Sequence, residues 1–222
     1  MITQMLLAGG RKKPKVTFLG YNSFQTNLST YNFGNFTVPR KGLLVVIAYA
    51  IGSTAQTGNS ITVNGSPISL SLTNPSANVW KYAAGCVEIA PGTYPISLIL
   101  SGNNGGDPSA NIGVYLIEDY ISPIPTDANV AFNITTPAPN FSQTTEFNSG
   151  GVIIYGQTLS ISSYPSGNVT YSSAVLDHTG LSRTGRQYSY AHIQDIRGAS
   201  PHSETVTFAT NVTQKYIIGM SF

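Results

Sequence analysis

Three histidines are the first place to look for chemistry. His178 follows Asp177, His192 lies three residues before Asp195, and His202 lies two before Glu204. An imidazole beside a carboxylate can move a proton or, with further ligands, hold a metal. A zinc centre needs three or four ligands at about 2 Å from the ion, and none of these spacings forms a familiar ligand pair. The plainer expectation is that the histidines sit at the surface or in loops and bond to neighbouring polar groups. A hydrolytic serine would be marked by an elbow such as Gly-X-Ser-X-Gly, which this chain lacks. Carboxylates paired for glycoside hydrolysis stand about 5 to 9.5 Å apart. Glu118 and Asp119 point to opposite faces of an extended chain, and nothing in the pattern nominates a partner for Asp119 or Asp107. The expectation is a chain without a catalytic residue, bound metal or cofactor.

The aromatic residues offer a different chemistry. Thirteen tyrosines stand against nine phenylalanines and one tryptophan. Tyrosine joins apolar area to a polar tip, which suits carbohydrate stacking and protein contacts alike. Tyr164, Tyr171, Tyr188 and Tyr190 fall in a polar stretch, where some should be exposed. In Gln187-Tyr-Ser-Tyr the two rings share one face of a strand, and Arg186 is close enough in sequence to add a hydrogen-bonding rim. These five residues are the candidate contact with a glycan or a partner. The competing expectation is that most of the tyrosines pack into a core or cover an edge.

Charge is scarce. Only 9% of the residues are Asp, Glu, Lys or Arg, against roughly a quarter in a typical globular domain. A net charge of +2 gives no general attraction to nucleic acid or to anionic membranes, and no apolar run approaches the roughly 20 residues of a membrane span. The one cysteine, Cys86, excludes an internal disulfide and reads as a small buried hydrophobe. Four of the 11 basic residues lie in Arg11-Lys-Lys-Pro-Lys15, directly after the apolar Met5, Leu6 and Leu7. A secretory signal has the opposite order. Residues 1–15 therefore read as an arm, either solvated or ordered against a partner through Met5, Leu6, Leu7, Arg11, Lys12, Lys13 and Lys15.

The scaffold that must position these groups is all-β. Short alternating or apolar runs bounded by Gly, Pro and Asn recur along the chain, and helical periodicity is absent. Leu43–Ile51 is apolar throughout and rich in β-branching, so it should be a central strand buried on both faces. Asn64-Gly65 supplies the two positive φ values of a type I′ hairpin turn, and Pro67 belongs near that turn or on an edge. The last run, Lys215–Phe222, should be a strand held inside a sheet. Ser122-Pro-Ile-Pro-Thr-Asp127 marks a sub-boundary near 122–127, too short to separate independent modules. The expectation is one antiparallel β-sandwich over residues 16–222, jelly-roll-like, with strands of the second half completing both sheets.

A family pattern then becomes visible. Val16-Thr-Phe-Leu-Gly20 comes first, followed by Phe36-Thr-Val-Pro39 with its basic turn and the Gly42–Ala50 run. The Ser60–Leu70 hairpin, Ala90-Pro-Gly-Thr93, Val114-Tyr-Leu-Ile-Glu118, Gly150-Gly-Val-Ile-Ile154 and Gly219-Met-Ser-Phe222 complete it. This order resembles a loosely defined set of tailed-bacteriophage virion proteins built as β-sandwiches, found among head-decorating, tail and fibre components. The resemblance implies a non-enzymatic component of the virion, repeated as a homo-oligomer. Its partners would be capsid, portal, tail or fibre proteins, and a host-surface glycan if it serves in attachment. Low acidity and the basic arm set this chain apart from the commonest form.

Overall fold

The computed structural model describes residues 12–56, 60–73, 78–106, 108–133, 138–160, 169–183, 186–212 and 214–222. The first half carries strands β1 (Lys15–Phe24), β2 (Thr30–Val38), β3 (Gly42–Gln56), β4 (Ser60–Val63), β5 (Ser66–Pro67), β6 (Ser69–Thr73), β7 (Asn78–Ile89), β8 (Gly92–Ile99) and β9 (Ser109–Glu118). The second carries β10 (Asp127–Asn133), β11 (Ala138–Thr145), β12 (Gly151–Ser160), β13 (Val169–Tyr171), β14 (Val175–Arg183), β15 (Arg186–Ile196), β16 (His202–Val212) and β17 (Gln214–Ser221). The described ladders are antiparallel. The fold is all-β, with antiparallel sheets packed face to face.

The two halves repeat one topology. In the first, β1-β9-β3-β7-β6 form one sheet and β2-β8-β4-β5 the other. In the second, β10-β17-β12-β15-β14 and β11-β16-β13 follow the same order, β10 standing for β1, β12 for β3 and β17 for β9. Among the described residues no strand of one half enters a sheet of the other. This corrects the expectation of a single sandwich completed by the second half.

The docking makes four layers. A core of Leu44, Val46, Ile112, Val114, Phe33 and Leu98 fills the first unit, and Ile153, Tyr155, Ile217, Val206 and Phe208 fill the second. Between the units lies a third core, in which Leu43, Val45, Ile47, Tyr49 and Tyr115 meet Val152, Ile154, Tyr188, Tyr190, Ile218 and Met220. Successive side chains of β3 therefore face two different cores, so Leu43–Ile51 is buried on both sides as its unbroken apolar run requires. Each Leu, Val or Ile of this run contributes about 1.5–3 kcal/mol relative to exposure. β17 lies between β10 and β12, inside its sheet. Asn64 and Gly65 turn the chain from β4 to β5 at φ 52° and 77°, and Pro67 lies on the edge strand β5.

The units are aligned, not crossed. Val16 N donates to Gln194 Oε1 at 3.1 Å at one end of the seam, and Arg186 Nη1 donates to Ser109 Oγ at 3.3 Å at the other. β1 touches β14 and β15, and β6 touches β10. The two contacts are equivalent under the repeat, which places an approximate two-fold axis along the strands. Lys15, Gly42, Glu118, Asp127, Gly151 and Ile196 consequently mark one end of the molecule, where the chain enters and the units are joined. Phe24, Ser109, Asn133, Ser160, Arg186 and Gln214 mark the other.

Candidate functional site

At the entry end, charge is concentrated on two carboxylates. Asp195 Oδ2 pairs with Lys13 Nζ at 2.7 Å and its Oδ1 accepts from Arg197 Nη2 at 2.7 Å. These two cations, Lys13 first, hold the Asp195 carboxyl below its ordinary range. Glu118 pairs with Lys15 and Arg40, each at 3.5 Å. Exposed pairs of this kind contribute little to stability; they hold Lys13 and Lys15 against the folded body. Lys15 is the first residue of β1, and Lys12, Lys13 and Pro14 line a small cavity of about 130 Å³ with Ser149, Gly150, Asp195 and Arg197. The arm boundary at residue 15 is thus corrected: residues 12–15 belong to the folded body. Met5, Leu6, Leu7 and Arg11 lie outside the described residues.

The tyrosine surface is also corrected. Tyr188 and Tyr190 do share a face, but that face is the seam between the units, and both rings are fully buried. Tyr190 OH donates to Asn111 Oδ1 at 2.7 Å, and Tyr49 OH donates to the Gly156 carbonyl at 2.6 Å. Burial pushes the Tyr49 and Tyr190 phenols well above their ordinary pKa. Tyr171 is half-buried, its hydroxyl 2.8 Å from Ser189 Oγ, and Arg186 is half-buried at the far end of the seam. Tyr164 lies outside the described residues. Exposed rings occur elsewhere. Tyr21, 47% exposed, stacks on His178 with ring centres 3.4 Å apart. Phe132, 61% exposed, stacks at 5.8 Å on Tyr216, which stacks at 5.0 Å on Trp80. Phe132 and Trp80 come from different units, so sequence spacing held no sign of that ladder.

Two of the three histidines bond to polar neighbours, and the buried Nε2 of His178 has no hydrogen-bond partner. Asp177 Oδ2 accepts from Tyr115 OH at 2.9 Å and lies 2.8 Å from His192 Nδ1; its sequence neighbour His178 stacks on Tyr21 instead. His202 Nε2 lies 2.9 Å from Ser173 Oγ and 3.3 Å from Glu204 Oε2, while Ser173 Oγ donates to Glu204 at 2.5 Å. A serine triad needs the acid on one imidazole nitrogen and the serine on the other. Here both meet the same nitrogen. Glu204 is fully buried and acts as a clamp, accepting from Ser172 Oγ, Ser173 N and Ala174 N at 2.8 to 3.1 Å. Burial opposes its ionisation, but the hydrogen bonds, led by Ser173, hold its carboxyl below the ordinary value. Among the described residues, no group of three or more His, Cys, Asp or Glu converges to hold a metal.

Two further groups are buried, Lys81 toward the far end and Cys86 beside the joint. Lys81 Nζ donates to Asn104 Oδ1 at 2.7 Å, and Asn104 Nδ2 donates to Tyr31 OH at 3.0 Å and to the Ile51 carbonyl at 2.9 Å. Burial, with the Arg186 charge, lowers the Lys81 pKa to about 8. This hub ties the β8–β9 loop to β3 and β7. Cys86 is buried, its Sγ 3.3 Å from the Pro123 carbonyl, and burial raises its thiol to about 11.

No protein-family model matches the chain, and no curated protein matches it either.

Proposed function

We propose that this chain is a structural protein of a tailed-bacteriophage particle, a head, tail or fibre component that docks by residues 1–11 and presents its far end outward. The pairing of first strand with last in each unit supports a jelly-roll-like reading. One observation carries the reading. The described chain begins beside Asp195 at one end, and β3, β10, β12, β14 and β16 end at the other. A four-layer body with the chain entering at one end and strands ending at the other suits a spike or decoration. Deletion of residues 1–11 should leave the melting temperature unchanged while the protein disappears from purified particles. Normal incorporation of the shortened chain would overturn the docking role.

The Phe132–Tyr216–Trp80 ladder favours a second reading, recognition of a host-surface glycan. A sugar face can stack on an exposed ring backed by two others. Glycan-array binding abolished by Phe132→Ala would support it, and an array without hits would exclude it.

A further inference from the structure

An amine and a carboxamide meet inside the first unit. Lys81 lies on β7 and shares the face of Ala83, which turns toward that unit's own core. Asn104 comes from the β8–β9 loop. Lys81 is 1% exposed and Asn104 is fully buried, with Nζ 2.7 Å from Oδ1. The carboxamide is held from its other end by the bonds of Nδ2 to Tyr31 OH and the Ile51 carbonyl. It also lies against Gly52 of β3, where a Cβ would come within 2.6 Å of Oδ1 and 2.8 Å of Cγ. The amine therefore faces a fixed carbonyl, whose carbon is one bond of about 1.2 Å beyond the oxygen that Nζ touches. Well-oriented groups held in this way react with effective molarities of about 10⁵–10⁸ M. With the Lys81 pKa lowered to about 8, the neutral and nucleophilic amine is well populated in mild alkali. Lys215, also buried, has no carboxamide within reach: its Nζ meets no hydrogen-bond partner.

We propose that Lys81 and Asn104 are the site of an internal covalent cross-link, an isopeptide bond between Nζ and Cγ. The Nζ lone pair attacks Cγ, the Nζ–Cγ bond forms, and the Cγ–Nδ2 bond breaks. One Nζ proton ends on Nδ2, and the Tyr31 hydroxyl, 3.0 Å from Nδ2, is placed to pass it on. Nδ2 departs as ammonia, whose escape drives the step forward, and the exclusion of water protects the new amide. A second nucleophile could reach the same carbon. In an Asn-Gly pair the following backbone nitrogen can attack Cγ and close a succinimide. Here Gly105 N donates instead to Asn27 Oδ1 at 2.8 Å, whereas Nζ points at the carboxamide. The bond ties β7 to the β8–β9 loop toward the far end, and the inference is independent of the virion reading.

Mass spectrometry of the full chain, held folded at pH 8 and then denatured, tests this. The intact mass should fall short of the sequence mass by about 17 Da, the ammonia lost. Trypsin should fail to cut after Lys81, because its amine is acylated. Chymotryptic cleavage after Tyr82 and Tyr94 should leave the Lys81 and Asn104 peptides joined. A Lys81→Met chain and an Asn104→Ala chain should each keep their full sequence mass. The parent's peptides decide the matter even where a variant fails to fold. A parent at full sequence mass would overturn the inference. So would a parent that has lost ammonia but whose two peptides separate, because that is the signature of a succinimide.

Discussion

The Tyr190 ring lies directly on Gly113. A Cβ at Gly113 would collide with the Cδ1, Cε1 and Cγ atoms of that ring, and the Tyr190 hydroxyl continues past it to Asn111. The inner sheets can approach this closely because one strand offers bare backbone where the other brings an aromatic ring.

Gly113→Val should therefore destabilise the chain by about 1–3 kcal/mol, the usual cost of overpacking. Tyr190→Phe keeps the packing and removes the bond to Asn111, at about 1 kcal/mol. Denaturant titrations of both variants check the order. A Gly113→Val protein as stable as the parent would show that the seam is loose.

Stability should fall in acid through Glu204. Its folded pKa is held below the unfolded value, so its contribution is complete above the unfolded carboxyl range and is lost as pH drops through the folded pKa. Glu204→Gln should lower the melting temperature near neutral pH and flatten its decline in acid. Parallel pH profiles for the parent and this variant would refute the clamp.

Lys215 is fully buried on β17, its Nζ without a hydrogen-bond partner and 5.8 Å from the centre of the Phe141 ring. Burial lowers its pKa. A lysine depressed in the folded state weakens folding below that folded pKa, and the penalty fades as pH rises toward the unfolded value. Lys215→Met should stabilise the chain by about 1–3 kcal/mol at neutral pH, and the gain should shrink in alkali. Melting curves at pH 7 and pH 10 check both the sign and the trend.

Much of the scaffold was legible in the sequence. The unbroken apolar run of β3, the Asn64-Gly65 turn and Pro67 on an edge each follow from local chemistry. The stacking of two units was not. β3 and β12 both open on glycine and continue with branched apolar residues, a repeat visible only when Gly42 is set against Gly151. Tyr188 and Tyr190 were correctly assigned to one face, yet periodicity cannot tell a face that meets solvent from one that meets a second sheet. Gly113 and Gly156, isolated within strands, were the available sign of a close approach.

Setting Gly42 against Gly151 also pairs Ile47 with Gly156, and these two residues touch across the seam: a Cβ on Gly156 would lie 2.6 Å from Ile47 Cγ2. They stand on the approximate two-fold axis. In a dimer of identical units, whatever residue occupies that place must face its own copy, giving two isoleucines in collision or two glycines around a void. Carrying both units on a single polypeptide releases the centre from self-complementarity, so a bulky residue and a bare one can share the position that symmetry would have forced to be equal.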